Sequence, residues 1–321
     1  MNGNEYYNNI YLAKIENQID KITNDEYKNL VIGFNRYMVT EGSMTRTRDN
    51  YIKTVVVFLN DIEKPLKEIG FTDYVNYLSK YTDKTSSYQV QIYTALKKFS
   101  NYIYTSEYTL VDGMKSVKRP KTVESIQTKQ KRDNNYLTQE EMEKYLNNVK
   151  YKKTDNNVRD WFLIQLMLNT GLRLSAIAKI DLEDIDEKKQ ILKVVEKRGK
   201  IRTCIFSDSL METYEKWIKE RKEKYNPVDS ALFVTKEGTR LTPKAIDKIV
   251  RKYGRGVKDI EITPHKLRAT YGTMIYEKTG DIYLTKQCMG HSDIHTTMLY
   301  IRGQEEKAQK KAAEIMSNLT F

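Results

Sequence analysis

Between residues 115 and 132 the chain carries Lys115, Lys118, Arg119, Lys121, Lys129, Lys131 and Arg132 against one acid, Glu124, with Pro120 among them and no periodic placing of apolar residues. Such a segment has no face to bury, and its like charges repel along the chain, so it reads as a linker over about 115–135. It divides the 321 residues into 1–114 and 136–321, each long enough to close a core of its own. A basic linker can stay solvated, or it can lie along phosphates while two domains grip opposite sides of a duplex. Both readings fit the pattern.

The first part reads as helical. Asn50–Leu59 carries Tyr51, Val55, Phe58 and Leu59 at helical spacing behind Thr45 and Thr47. Ser87–Tyr104 repeats the pattern with Val90, Ile92, Tyr93, Leu96, Phe99 and Tyr102, and puts Lys97 and Lys98 on the other face. Phe71–Tyr81 is a shorter helix between them. No strand alternation interrupts, so a small helical domain with a basic face is expected. The second part opens near Leu137, with Thr138 as N-cap and Glu141 at the reciprocal position of a capping box. Val158–Asn169 predicts a helix, Thr170-Gly171 a turn, and Leu172 the start of a further helix. Gln190–Phe206 holds two β-rich runs around Lys197-Arg198-Gly199-Lys200, the pattern of a hairpin. Helices dominate from Ser209, including one over Gln304–Leu319. The fold class expected is mainly α with a small β-hairpin or sheet.

Charge and composition narrow the function. Lys+Arg exceed Asp+Glu by 55 to 43, a net +12, which suits a polyanionic partner, nucleic acid first, or else a lysine-rich surface kept for solubility. The N-terminus is polar, without the apolar core of a secretory signal. The most apolar run, Trp161–Leu168, is broken by Gln165 and falls far short of the roughly 20 residues of a membrane span. Cys204 and Cys288 lie far apart and imply neither a disulfide framework nor a zinc knuckle. A soluble, cytoplasmic protein is expected.

Several short clusters could carry chemistry. In Thr263-Pro264-His265-Lys266-Leu267-Arg268, Thr263 can cap a helix and Pro264 fits its first turn. His265 and Arg268 then share a face at the positive helix end, which suits a phosphate; a structural histidine beside a surface arginine gives the same pattern. Thr170-Gly171-Leu172-Arg173 places an arginine after a glycine turn. Lys197 sits at the hairpin tip, where lysines are commonly just solvated. Gly290-His291 is followed by Thr296, Thr297 and, nine residues after His291, Tyr300, one of 24 tyrosines. His291 and His295 have a zinc-like spacing, but HSDIH lacks the glutamate of the metalloprotease pattern, so no metal is expected. GxSxG, P-loop and GxGxxG patterns are absent, which removes serine hydrolysis, nucleotide hydrolysis and dinucleotide binding from the readings the sequence supports.

Taken in order, Arg173 in TGLR, Lys197 in a hairpin, HxxR at 265–268, Gly290-His291 and Tyr300 resemble the tyrosine recombinases, the phage-integrase and Xer superfamily. LNTGLRLSAIAKIDLEDID is similar to that family's first-arginine box, and HKLRATYGTMIYEKTGDIYLTKQCMGHSDIHTTMLYI to its second. The likeness is strong over about 137–302; 1–114 resembles, less specifically, the family's helical, SAM-like core-binding domain. The resemblance implies an Xer-like two-domain recombinase whose catalytic domain is mixed α/β. Tyr300 would attack the scissile phosphate and form a 3′-phosphotyrosyl link. Arg173 and Arg268 would brace the non-bridging oxygens, His291 would add a hydrogen bond, Lys197 would protonate the departing 5′-oxygen, and His265 would help move the tyrosine proton. No cofactor, metal or ATP is implied. The implied partner is double-stranded DNA at a recombination site, bound by a homo-oligomer, a dimer per site and a tetramer in synapse, in the nucleoid. Ala176 stands where the family carries an acid that supports the HxxR histidine, and Ala269 replaces a second histidine of the box. A catalytically degenerate DNA-binding protein, and a relaxase or topoisomerase using the same chemistry, are the alternatives.

Overall fold

The computed structural model describes residues 3–121, 135–152, 154–196, 199–228, 230–291 and 293–301, with 309, 313, 316 and 317 beyond them. By internal contact the chain falls into two compact units, 4–124 and 125–321 together with 1–3. Part of the expected linker, 122–134, and nearly all of the expected helix over 304–319 lie outside the described residues.

The N-terminal half is helical: α1 (Gly3–Ile19), α2 (Asp25–Thr40), α3 (Thr45–Ile62), α4 (Phe71–Ser79) and α5 (Ser86–Thr105). The Asn24 side chain accepts from Tyr27 N at 3.0 Å and starts α2. Apolar residues recurring every three or four positions on α2 and α3 then bury Leu30, Phe34 and Met38 against Ile52, Val55 and Phe58. Ring contacts knit the helices, Phe34 to Phe99 with centroids 5.3 Å apart and Phe58 stacked on Tyr74 at 4.7 Å. Helix α3 begins five residues earlier than the apolar pattern shows, so Thr45 and Thr47 are its first turn rather than its approach. Nor is the Lys97–Lys98 face simply a bare cationic surface. Lys97 Nζ donates to Met114 O at 2.7 Å, and Lys98 is ion-paired with Glu41.

The second unit is built on α6 (Gln139–Tyr151) and α7 (Asn157–Thr170). Helix α6 starts with the expected box, Thr138 and Glu141 each accepting from the other's backbone N–H. Helix α7 is apolar on nearly all sides, and Phe162, Leu163, Ile164 and Leu166 are all fully buried. It is the central helix, packed between α9 (Asp208–Lys224) and α11 (Pro264–Thr279). After α7 comes a short helix, α8 (Leu174–Ile177), two residues later than the sequence suggests, because Arg173 keeps an extended backbone as its N-cap. Then follow β1 (Ile185–Asp186), β2 (Ile191–Val195) and β3 (Ile201–Ile205), an antiparallel sheet in that order. The hairpin is where the sequence puts it, with Leu192 opposite Cys204 and Val194 opposite Arg202; the two-residue β1 is an addition. Strand alternation turns Arg202 and Cys204 inward and leaves Ile201 and Ile205 outside. The unit continues with α10 (Pro243–Gly254), α12 (Ile282–Met289) and α13 (Ile294–Ile301).

Trp217 on α9 anchors this core. It is completely buried against Phe233 and Tyr225, and its Nε1 donates to Leu232 O at 2.9 Å. Trp217→Ala leaves a large cavity and an unpaired carbonyl, and should cost about 3–5 kcal/mol. Tyr283→Ala, at a position 68% exposed, should change stability by no more than about 0.5 kcal/mol. Urea unfolding checks both; the fluorescence of Trp161 reports on the same unit in the Trp217 variant.

Candidate active site

Four segments converge in the second unit: the turn after α7, strand β3, the first half of α11 and the turn after α12. The chain reverses at Gly171 (φ 56°), where a Cβ would come within 2.3 Å of the Tyr271 ring, so glycine is required twice over, by backbone conformation and by space. Arg173 follows two residues later. Helix α11 starts as expected, Thr263 accepting from Lys266 N with Pro264 in the first turn. That start places His265 and Arg268 on the first turns. Arg268 is buried. Its Nη2 donates to Met289 O at 2.6 Å and its Nη1 to Gly171 O, so one guanidinium ties the end of α12 to the end of α7. At the end of α12, Gly290 (φ 65°) turns the chain, and His291 lies buried behind it with Nδ1 2.9 Å from Thr297 Oγ1.

Two residues at this centre were not legible as site residues. Arg202, inward on β3, donates through Nη1 to Met289 O at 3.4 Å and through Nη2 to Thr170 O and Cys288 O. Glu196, at the end of β2, sits between the arginines, its Oε2 2.6 Å from Arg173 Nη1 and its Oε1 3.6 Å from Arg202 Nη1. The available signal was the alternation of β3, which faces an arginine into the body and so demands acceptors there.

Of the six residues singled out in the sequence, Arg173, His265, Arg268 and His291 belong to this assembly. Mutual electrostatic influence links His291 to the other three. Tyr300 lies on α13, the helix that also carries Thr297; its side chain, like that of His295, is outside what is described. Lys197 falls outside the described residues, next to Glu196. Ala176 is buried in α8. Among the described residues no group of three or more His, Cys, Asp and Glu side chains is placed to hold a metal ion.

Burial, and then the charges of Arg268, Arg173 and Arg202, push the His291 pKa from 6.5 down to about 3. His265 is an exposed residue, yet the protein around its imidazole, and next the Arg268 charge, lower its pKa as well. At neutral pH His291 is therefore an uncharged hydrogen-bonding group among cations. The depressed value makes the unfolded chain bind the proton first, so stability is lost as pH falls from 6.5 toward 3. Between pH 6.5 and pH 5 this one group should remove about 2 kcal/mol. His291→Asn, which keeps an amide near Thr297 but does not titrate, should lose about that much less over the same interval. Urea unfolding of both proteins at the two pH values measures it.

The comparisons with known proteins cover this assembly. The family model described as the phage integrase family matches residues 135–307. The tyrosine recombinase XerC of Actinobacillus succinogenes is 31% identical over 209 residues, 64% of this chain and 67% of that protein. The XerC of Actinobacillus pleuropneumoniae is 28% identical over 208 residues, 64% of each. Among solved structures, the XerH site-specific recombinase in its post-cleavage complex with a palindromic difH substrate shares the fold, with a TM-score of 0.69 at 18% identity over 94% of this chain and 93% of that one. A lambda integrase dimer on a COC′ core site aligns with a TM-score of 0.66 at 16% identity, over 86% of this chain and 95% of that one. Since the family model spans more than half of the chain and takes in the turn of Arg173, the HxxR helix and the Gly290-His291 turn alike, the chain belongs to the phage integrase family.

Proposed function

We propose that this protein is a site-specific tyrosine recombinase that cuts and rejoins DNA strands through a 3′-phosphotyrosyl intermediate, with the six residues in the roles the family likeness implies. The observation that carries the reading is the convergence of Arg173, Arg268 and a neutral His291 on one place, from segments far apart in sequence, with Arg268 oriented by two backbone carbonyls. A phosphodiester under attack gathers charge on its non-bridging oxygens. Rigid planar guanidinium groups meet that charge with paired N–H donors, as a lysine cannot. If the Thr297 hydroxyl donates to Nδ1 of His291, the ring carries its proton on Nε2 and adds a neutral donor to the same oxygens.

The chemistry then balances within the chain. Tyr300 Oη gives its proton to His265, which is neutral at physiological pH because its pKa is lowered, and forms a bond to phosphorus. The bond from phosphorus to the 5′-oxygen breaks, and Lys197 supplies the proton that this oxygen takes up. Rejoining is the reverse, with a 5′-hydroxyl as nucleophile, so the phosphodiester energy is kept in the phosphotyrosine and no ATP is spent. The working form is a homo-oligomer on double-stranded DNA, a dimer on each site and a tetramer in synapsis, acting in the cytoplasm on the nucleoid. No helix among the described residues is long and apolar enough to cross a membrane, and the net charge of +12 favours a polyanion.

Tyr300→Phe should abolish covalent attachment to a nicked duplex bearing a site recovered by binding selection, while leaving DNA affinity within about twofold, since one hydroxyl among many contacts is a small share of the binding. A denaturing gel reads the first and a mobility shift the second; a covalent band that survives the substitution removes Tyr300 as nucleophile. Lys197→Ala should slow cleavage by about 10²–10⁴-fold. A duplex with sulfur at the 5′-bridging position, whose leaving group needs no proton, should recover most of that loss. If Lys200→Ala instead shows the defect and the rescue, the acid is Lys200.

A further inference from the structure

Glu196 is a buried carboxylate placed inside a cluster whose other charged members are cations. Its two oxygens are unequally served. Oε2 meets Arg173 Nη1 at 2.6 Å, a charge-assisted hydrogen bond. Oε1 is buried without a hydrogen bond, 3.6 Å from Arg202 Nη1. Arg202 is held fast by the Thr170, Cys288 and Met289 carbonyls. Arg173 is anchored differently: its side chain is 37% exposed, and among the described residues its hydrogen bond is the one to Glu196. The carboxylate thus lies between a fixed guanidinium that it does not quite reach and a more exposed one that it holds.

This arrangement has a second position built into it. A shift of roughly 1 Å toward Arg202 would bring Oε1 within hydrogen-bonding range and release Arg173. The space beside the carboxylate is provided by Gly290, where a Cβ would stand 3.0 Å from Oε2 and 3.1 Å from Arg202 Cδ. The backbone of Glu196 is pinned, its N–H donating to Lys200 O at 2.8 Å, so the shift is one of side-chain torsions. Carboxylate and phosphate present the same pair of oxygens to a guanidinium. We propose that the Glu196 carboxylate is a positioning residue that stands in for the DNA phosphate: it holds Arg173 in place until a phosphate takes the guanidinium over, and then passes to Arg202. The inference rests on the reading above that Arg173 is a phosphate ligand. It adds that the phosphate must displace an internal competitor to reach it.

The test uses the full chain with ¹⁵N-arginine, titrated with sodium sulfate at constant ionic strength as a probe for a tetrahedral oxyanion, the Arg173 and Arg268 Nε–Hε signals being followed by NMR. E196Q, which keeps the shape and removes the charge, should bind sulfate at least about tenfold more tightly than the native chain. A brace that merely holds Arg173 would show the opposite, a weaker site, so unchanged or weakened binding overturns the proposal. In the native chain, whatever the fate of the variant, the ¹³C-carboxyl signal of Glu196 should shift with the same midpoint as Arg173 Nε; a signal that stays still while Arg173 responds also overturns it. R173K, followed through Arg268, tests the underlying reading separately. Sulfate affinity should fall at least about tenfold, and if it does not, Arg173 is no phosphate ligand whatever Glu196 does.

Discussion

Two buried arginines close the C-terminal ends of two helices, and the geometry of the site depends on that. A helix leaves its last carbonyls without partners and concentrates negative potential there. Helix α7 ends at Thr170 with Gly171 as its cap, and α12 ends at Met289 with Gly290 as its cap. The four carbonyls of Thr170, Gly171, Cys288 and Met289 are those that Arg202 and Arg268 take. A guanidinium buried alone would be very costly. Here each has acceptors of the right sign in the right plane, and each helix end has donors. The same bonds lock the turn that carries Arg173 to the turn that carries His291, so the frame of the site is set by the fold itself.

The frame has an electrostatic consequence. Arg173, Arg202 and Arg268 bring three positive charges together, and the carboxylate facing Arg173 and Arg202 is Glu196, one of whose oxygens is left without a hydrogen bond. Burial, and then these charges, disfavour a fourth, and His291 stays neutral down to about pH 3. The cluster is therefore tuned toward an anion rather than toward further protonation.

How much of this could be read from the sequence follows the range of the forces involved. The caps at Thr138 with Glu141 and at Thr263 with Pro264 are set within four residues, and they were legible. The hairpin and the core faces of α3 and α5 follow from periodicity and were legible too. The start of α8 was not, because Arg173 has the composition of a helix interior and the extended backbone of a cap. Arg202 and Glu196 were not, because their importance lies in who stands opposite. Arg202 pairs with Val194 in the sheet, and its side chain meets helix ends 32 and 86 residues away. No local pattern records that. The motif residues themselves were found through their order along the chain, and the fold explains the order: α7, β3, α11 and the end of α12 are the segments whose ends meet.

The two histidines of the cluster stand in different surroundings. His291 is buried among three arginines, and its pKa, near 3, lies too low for it to take a proton in the working range. It can hold a hydrogen bond without adding charge. His265 stands on the first turn of α11 as an exposed residue, and the protein around its imidazole and then the Arg268 charge lower its pKa. The family likeness implies an acid three residues after the first arginine that supports such a histidine; here Ala176 occupies that place. Burial and then the Arg268 charge keep His265 neutral, and under the proposed chemistry it accepts the tyrosine proton without a carboxylate at position 176 behind it. Under the proposed chemistry the cost is met elsewhere in the same cluster. In that chemistry the phenolate that forms would be stabilised by the positive field of the arginines. On the proposed reading, a chain with alanine at position 176 depends more heavily on Arg173 and Arg268, which would both stabilise the phenolate and hold the phosphate.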